Sequence, residues 1–307
     1  FLSPRMLMKP LILMKPPKLF TFLLCLHLII ATDGFSGGFG KPQVKGKAPN
    51  SRPPEQQINI PPLSPQAKAS LQKNYTGNLE ALAFKLYGLS LSLPPTATTL
   101  LHAEPLVLTI DNFLSPDECS YLISCSTVEN EETIRVKSQT CDKADVAKQA
   151  RQSTTFYHKK KNAKTLVDKA TALLNIAPSS SKFEETQTVR YAANSNDSFT
   201  SHIDALNPAD SKTYNNGGQR TATLIVYLND VDDDIQEENG CTVFRDLDVR
   251  VEPERGKALL FFPSVKGSVD IRTIHSGEKV RGGTDKWIAQ IWVRENDYDE
   301  TVKFLGS

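Results

Sequence analysis

The chain is poor in the residues that most often mark a site. Its five cysteines contain no CxxC pair and no Cys/His cluster, so nothing in the spacing points to structural zinc. Neither sign of charge is in excess. Lys plus Arg total 36 against 35 for Asp plus Glu, and a net charge of +1 gives no global electrostatic reason to expect nucleic acid or an anionic membrane as partner. There are no internal repeats, which excludes a solenoid. The one long apolar run, residues 19–31 (LFTFLLCLHLIIA), is too short for a comfortable transmembrane helix. A hydrophobic content of 39% and a charged content of 23% are lean but globular.

That apolar run follows Lys15 and Lys18 near the N-terminus, the pattern of a secretory signal with cleavage near Ala31 to Gly34. An uncleaved signal anchor is the alternative. Because the first residue is Phe1, the expectation is a fragment or a start upstream of the true one, with Met6, Met8 and Met14 as candidate starts. Residues 34–66 are rich in Gly, Pro, Lys and Ser and read as a linker, or as a plastid transit segment behind the signal. Cys25 lies inside the leader, while Cys119, Cys125, Cys141 and Cys241 allow one or two disulfides in an oxidising compartment. Asn74-Tyr-Thr and Asn196-Asp-Ser are glycosylation sequons, usable only in the ER.

Residues 67–100 contain a possible helix (NLEALAFKLYGLS) and a breaker run around Pro94 and Pro95. From Pro105 the texture changes. VLTIDNFL alternates as a strand, SPDECSYLISC opens with Ser115 as a helix N-cap, and AKTLVDKATALLN repeats apolar positions at helical spacing. Beyond it, TQTVRYA, TATLIVYLN, KALLFF and WIAQIWVRE read as strands. Helices followed by short strands predict a mainly β fold, a barrel or jelly roll buttressed by N-terminal α-helices. The acidic run 230–238 resembles a calcium site but lacks the spacing, and reads as a solvated hairpin loop. HKKK at 158–161 reads as a solvated surface run.

The chemistry lies in four residues: His202, Asp204, His275 and Lys286. Two imidazoles and a carboxylate are the facial triad that holds non-heme Fe(II) with positions left open. If His202 and Asp204 share an extended strand, their side chains project to one face. Lys286 opens the last strand, and strand parity puts it on the same face as Trp292. A lysine buried there needs an anion, and the far carboxylate of a chelating oxo-acid would supply one.

Five segments stand in order: ETQTVRYAANSNDSFTSHID, GGQRTATLIVYLNDV, ENGCTVF, VEPERGKALLFF and TIHSGEKVRGGTDKWIAQIWV. With them, residues 185–293 resemble the catalytic core of the prolyl 4-hydroxylases, Fe(II) and 2-oxoglutarate-dependent dioxygenases. Weaker similarity reaches back through DNFLSPDECSYLI to about residue 105. The resemblance implies a double-stranded β-helix (jelly-roll) core. It also implies that His202, Asp204 and His275 ligate iron, that Lys286 pairs with 2-oxoglutarate, and that Tyr191 and Thr223 line the co-substrate pocket. Arg220 and Trp292 match positions that hold the peptide. Cofactors implied are Fe(II), 2-oxoglutarate, O2 and ascorbate, and the implied partner is a Pro-containing peptide or protein.

Two departures stand out. Asn239-Gly240-Cys241-Thr242 replaces a Gly-Gly-Glu-Thr turn, and one extra residue separates His275 from Lys286, with Gly282-Gly283 expected to absorb it. The expected organisation is a signal peptide or anchor at 1–33, a linker and N-terminal extension at 34–104, the dioxygenase domain at 105–298 and a tail at 299–307. The expected location is the secretory pathway, in the ER lumen or membrane, or a plastid reached through a bipartite leader. Contact with a membrane is expected only if the N-terminal segment is an uncleaved anchor. Two competing readings remain: a related dioxygenase acting on lysine or a small molecule, and an inactive jelly-roll binding module.

Overall fold

The computed structural model describes residues 61–127, 133–137, 151–209, 211–232 and 239–299. All fall within one compact unit, Asn50–Ser307. The leader, most of the linker, Cys25, Cys141 and most of the acidic run lie outside the described residues.

Two antiparallel sheets carry the fold. The larger is built from β1 (Thr98–His102), β2 (Val107–Ile110), β3 (Thr133–Lys137), β5 (Thr154–His158), β6 (Gln187–Tyr191), β8 (Arg220–Tyr227), β11 (Ala258–Phe261) and β15 (Lys286–Arg294). Their order across the sheet is β1-β2-β11-β8-β15-β6-β5-β3. The smaller contains β4 (Arg151–Gln152), β7 (Ser198–His202), β9 (Thr242–Phe244), β10 (Val249–Val251) and β14 (His275–Gly277), in the order β10-β9-β14-β7-β4. A two-stranded ribbon, β12 (Ser264–Val265) with β13 (Ser268–Val269), stands apart. The non-sequential strand orders are those of a double-stranded β-helix.

Side-chain alternation explains why the central strands read as unbroken apolar runs. On β8 and just beyond it, Ala222, Leu224, Val226 and Leu228 face one apolar cluster, while Ile225 and Tyr227 face another. The same parity divides Leu260 from Leu259 and Phe261 on β11, and Ala289, Ile291 and Val293 from Ile288 on β15. A strand covered on both faces has no polar side to show. The first cluster takes in Leu82 and Ala83 of α2 (Leu79–Tyr87), Cys119 and Leu122 of α3 (Pro116–Thr127), and Leu166, Ala170 and Leu173 of α4 (Lys164–Leu173). The second lies within the sandwich, where the site is.

Local signals set the helices. Asn78 caps α2 through Ala81 N–H at 2.7 Å, and Gly88 ends it with φ 70°. Ser115 and Glu118 form a reciprocal capping box at α3, at 3.2 and 2.7 Å. Patterning sets the start of the domain near residue 105, yet the sheet begins earlier, because β1 pairs with β2 from Thr98↔Ile110 onward. Strands therefore also precede and separate the helices. Cys119, Cys125 and Cys241 are free thiols, so none of these three forms a disulfide. Among the described residues no helix is long and apolar enough to cross a membrane.

One expectation is overturned at 158–161. Lys159, Lys160 and Lys161 are exposed, but His158 is buried, because it closes β5 on the face turned towards α3. There its Nε2 meets Thr188 Oγ1 at 2.9 Å and Ser126 Oγ at 3.4 Å. Burial pushes its pKa down to about 4. Protons then bind the unfolded chain in preference between about pH 6.5 and 4, so stability is full above that window and falls as pH drops through it. Thermal unfolding followed across pH 7 to 4 should show a loss of up to about 3 kcal/mol from this group, and His158→Leu should flatten the slope in that window.

Candidate active site

The deciding contact is a strand pairing. β14 lies antiparallel to β7 with His275 directly opposite His202. β7 ends at His202, so Asp204 stands beyond the strand rather than on it, in an irregular turn. The expectation of two ligands on one extended strand is corrected here: the chain turns at the strand end and brings the carboxylate back between the imidazoles. His202 Nε2 lies 3.6 Å from Asp204 Oδ1, and His275 Nε2 lies 3.8 Å from Asp204 Oδ2. One donor atom from each residue falls within 4.8 Å of the others.

The donor set fits a divalent metal. Each imidazole engages a backbone carbonyl through Nδ1, His202 with Thr200 O at 2.8 Å and His275 with Thr273 O at 3.0 Å. A carbonyl can only accept, so Nδ1 carries a proton, and in the neutral ring Nε2 presents its lone pair towards Asp204. Burial pushes the Asp204 carboxyl up, but His275, His202, Arg220 and the Thr223 hydroxyl outweigh it and hold the group below its ordinary value. Asp204 is thus held as the anion a ligand must be. Phe199 stacks on His202, and Phe244 and Phe261 flank His275, so the imidazoles sit against an apolar wall.

Lys286 lies one sheet across. It pairs in register with Tyr191, and its Nζ stands 5.2 Å from the Tyr191 ring and 5.5 Å from that of Tyr227. The strand parity holds: Ile288 faces the inner cluster, and Trp287, Ala289, Ile291 and Val293 face the helices. Lys286 is 1% exposed, and its ammonium donates to Gly240 O. Among the described residues no carboxylate forms an ion pair with it, and burial pushes its pKa down to about 8. Gly240 has φ 71°, and a Cβ there would stand 3.2 Å from the Lys286 side chain, so glycine suits both the turn and the close approach.

The segment before Lys286 runs through a glycine loop. Gly282 has φ 90°, Gly283 N–H and the Thr284 hydroxyl donate to Asp232, and Asp285 accepts from Ala193 N–H and Arg190 Nε. The loop ends where the ladder begins, at Lys286↔Tyr191. In the substituted turn, Cys241 is a buried thiol pushed up to about 11 by burial, and the Tyr227 hydroxyl donates to Thr242 Oγ1 at 2.8 Å.

Two expected residues have their polar groups engaged within the protein. Thr223 donates to Asp204 Oδ2 at 2.8 Å, so its hydroxyl is spent on the carboxylate. Arg220 is buried and double-bonded to Glu184, at 2.7 and 3.1 Å, and gives a third hydrogen bond to Asp204 O at 3.2 Å. Its guanidinium lies 3.7 Å over Trp292. The expected peptide clamp is therefore an internal brace, because Arg220 has its donors turned inward to Glu184 and Asp204. Trp292 Nε1 is buried without a hydrogen-bond partner among the described residues. Glu184, Arg294, Tyr227 and Gln219 went unnoticed in the sequence. A polar residue is visible there, but whether a fold buries it is not.

With this geometry in hand, comparison with known proteins is informative. The 2OG-Fe(II) oxygenase superfamily matches residues 186–294. Prolyl 4-hydroxylase 1 of Arabidopsis thaliana is 29% identical over 208 residues, covering 62% of this chain and 70% of the relative. A putative prolyl 4-hydroxylase of Acanthamoeba polyphaga mimivirus is 34% identical over 119 residues, covering 38% and 46%. The viral collagen prolyl hydroxylase of Paramecium Bursaria Chlorella virus-1, solved with 2OG, has a TM-score of 0.47 at 24% identity, covering 61% of this chain and 95% of that one. Over this region the chain is similar to prolyl 4-hydroxylases. It is an oxidoreductase of the type that uses Fe(II), 2-oxoglutarate and O2.

In this prolyl 4-hydroxylase relative, Glu184 holds two guanidiniums at once, since Arg294 Nε also lies 2.7 Å from its Oε1. Removing one member of a buried ion network leaves an uncompensated charge. Glu184→Gln should cost about 3–5 kcal/mol in denaturant unfolding. Asp168→Asn, which breaks the exposed Lys164–Asp168 pair, should cost about 0.5 kcal/mol or less.

Proposed function

We propose that the chain hydroxylates peptidyl proline, with His202, Asp204 and His275 as the iron ligands. The observation that carries the site assignment is the three-donor cluster together with a buried lysine that, among the described residues, forms no ion pair with a carboxylate. The chemistry that iron supplies when bound is the coupling of 2-oxoglutarate decarboxylation by O2 to insertion of one oxygen atom into a C–H bond, with succinate and CO2 as products.

Each residue has a task. The two imidazoles present Nε2, fixed by their carbonyl bonds, and Asp204 adds the negative charge that a dication favours. Lys286 pairs with the far carboxylate of 2-oxoglutarate, Tyr191 and Tyr227 wall that end of the pocket, and Thr223 acts on the pocket through Asp204. The Trp292 indole donor has no acceptor among the described residues, and a peptide carbonyl would supply one. Proline as target is favoured by the relatives, which carry the name prolyl 4-hydroxylase over 70% or more of their length. Ascorbate is the reductant that restores ferrous iron after an unproductive cycle. We place the chain in the secretory pathway on the leader pattern, and Asn74 and Asn196 are both exposed for glycosylation there.

The test is mass spectrometry of Pro-rich peptides incubated with the protein, Fe(II), 2-oxoglutarate and ascorbate, with succinate release measured in parallel. Added oxygen on proline, lost in His202→Ala with the circular dichroism spectrum retained, is the expected result. Succinate release with small substrates but unmodified peptides would overturn the choice of proline.

Lys286 gives a pH signature. An anion binds the charged lysine, so 2-oxoglutarate affinity should be flat below about pH 8 and fall about tenfold per pH unit above it. Calorimetry in two buffers should detect proton uptake on binding above pH 8. Lys286→Ala should weaken 2-oxoglutarate at every pH and abolish that uptake.

A further inference from the structure

We propose that Gln219 is a positioning residue for the Asp204 carboxylate, a role that rests on the iron-site reading above. Asp204 lies past the end of β7, so no strand ladder fixes it. The turn that carries it is held by side chains at the start of β8. Gln219 is fully buried and grips Leu206 at both ends: its Oε1 accepts from Leu206 N–H at 2.6 Å and its Nε2 donates to Leu206 O at 2.9 Å. One amide side chain thereby does for Leu206 what a neighbouring strand would do for an ordinary β residue.

The grip is itself anchored. Gln219 Oε1 also accepts from Arg220 N–H at 3.0 Å, and Gln219 O accepts from Glu295 N–H at 2.8 Å, which ties it to the end of β15. Arg220 holds the Asp204 carbonyl and Thr223 the Asp204 carboxylate, so residues 219, 220 and 223 fasten three successive parts of one turn. The Gln219 side chain bonds to Leu206 and the Arg220 backbone, and not to the ligand atoms. Its effect reaches the metal through the backbone of residues 204–206. Partners outside the ligand set that orient a ligand typically change metal affinity by about 10–100-fold.

The experiment uses the full chain and Co(II) as probe, read by its ligand-field absorption, together with the Fe(II) concentration needed for half-maximal succinate release. Gln219→Met keeps the length and loses all three side-chain hydrogen bonds, while Gln219→Glu keeps the acceptor and loses the donor. Both should weaken Co(II) by about 10–100-fold and raise the Fe(II) requirement, with turnover recovering at saturating Fe(II). That recovery separates positioning from general loss of structure. If Gln219→Met fails to fold, Gln219→Glu decides. Wild-type Co(II) affinity in a folded variant, with His202→Ala unable to bind, would overturn the role of Gln219 alone. Co(II) binding that His202→Ala leaves unchanged would overturn the iron site and the role of Gln219 with it.

Discussion

The register of β14 against β7 is the constraint on which the rest depends. Because His275 stands directly opposite His202, two residues far apart in the chain meet at one point without any loop having to carry them there. A slip of one residue would turn one imidazole to the opposite face of the sheet. The burial of both faces of β8, β11 and β15 between helices and inner cluster supplies the rigid platform against which that pairing is held. Precision at the metal is thus inherited from backbone hydrogen bonding, and the side chains refine it.

The third ligand obeys different physics. Asp204 has left the ladder; Arg220 and Thr223 bond to it directly, Gln219 holds Leu206 just beyond it, and Glu184 stands behind Arg220. Such buried polar networks gain little net stability, since desolvation offsets most of the attraction. What they supply is a single arrangement, because every alternative strands a charge or an amide in apolar surroundings.

Long-range facts divide what was legible in the sequence from what was not. The apolar runs of β6, β8, β11 and β15 and the Ser115 cap of α3 are local patterns, and the structure reproduces them. The smaller sheet was poorly visible. β9, β10 and β14 are three residues each, too short for a period to register, and owe their extended state to their neighbours. Within the site, the two histidines and the lysine could be read from their kind and spacing. The burial of Arg220 and His158 could not, because composition marks both as surface residues and only the packed fold supplies Glu184 for the one and Thr188 with Ser126 for the other.

The glycine loop before Lys286 has a consequence for how such sites are compared between proteins. Asp232 and Asp285 pin the end of the loop, and the ladder begins at Lys286↔Tyr191. The number of residues separating a metal ligand from a co-substrate anchor is therefore a soft quantity, free to drift by insertion or deletion. The hard quantity is the rung of the ladder on which each side chain stands. Distances counted along the hydrogen-bonded sheet, rather than along the polypeptide, are the measure by which distant members of such a family should be aligned.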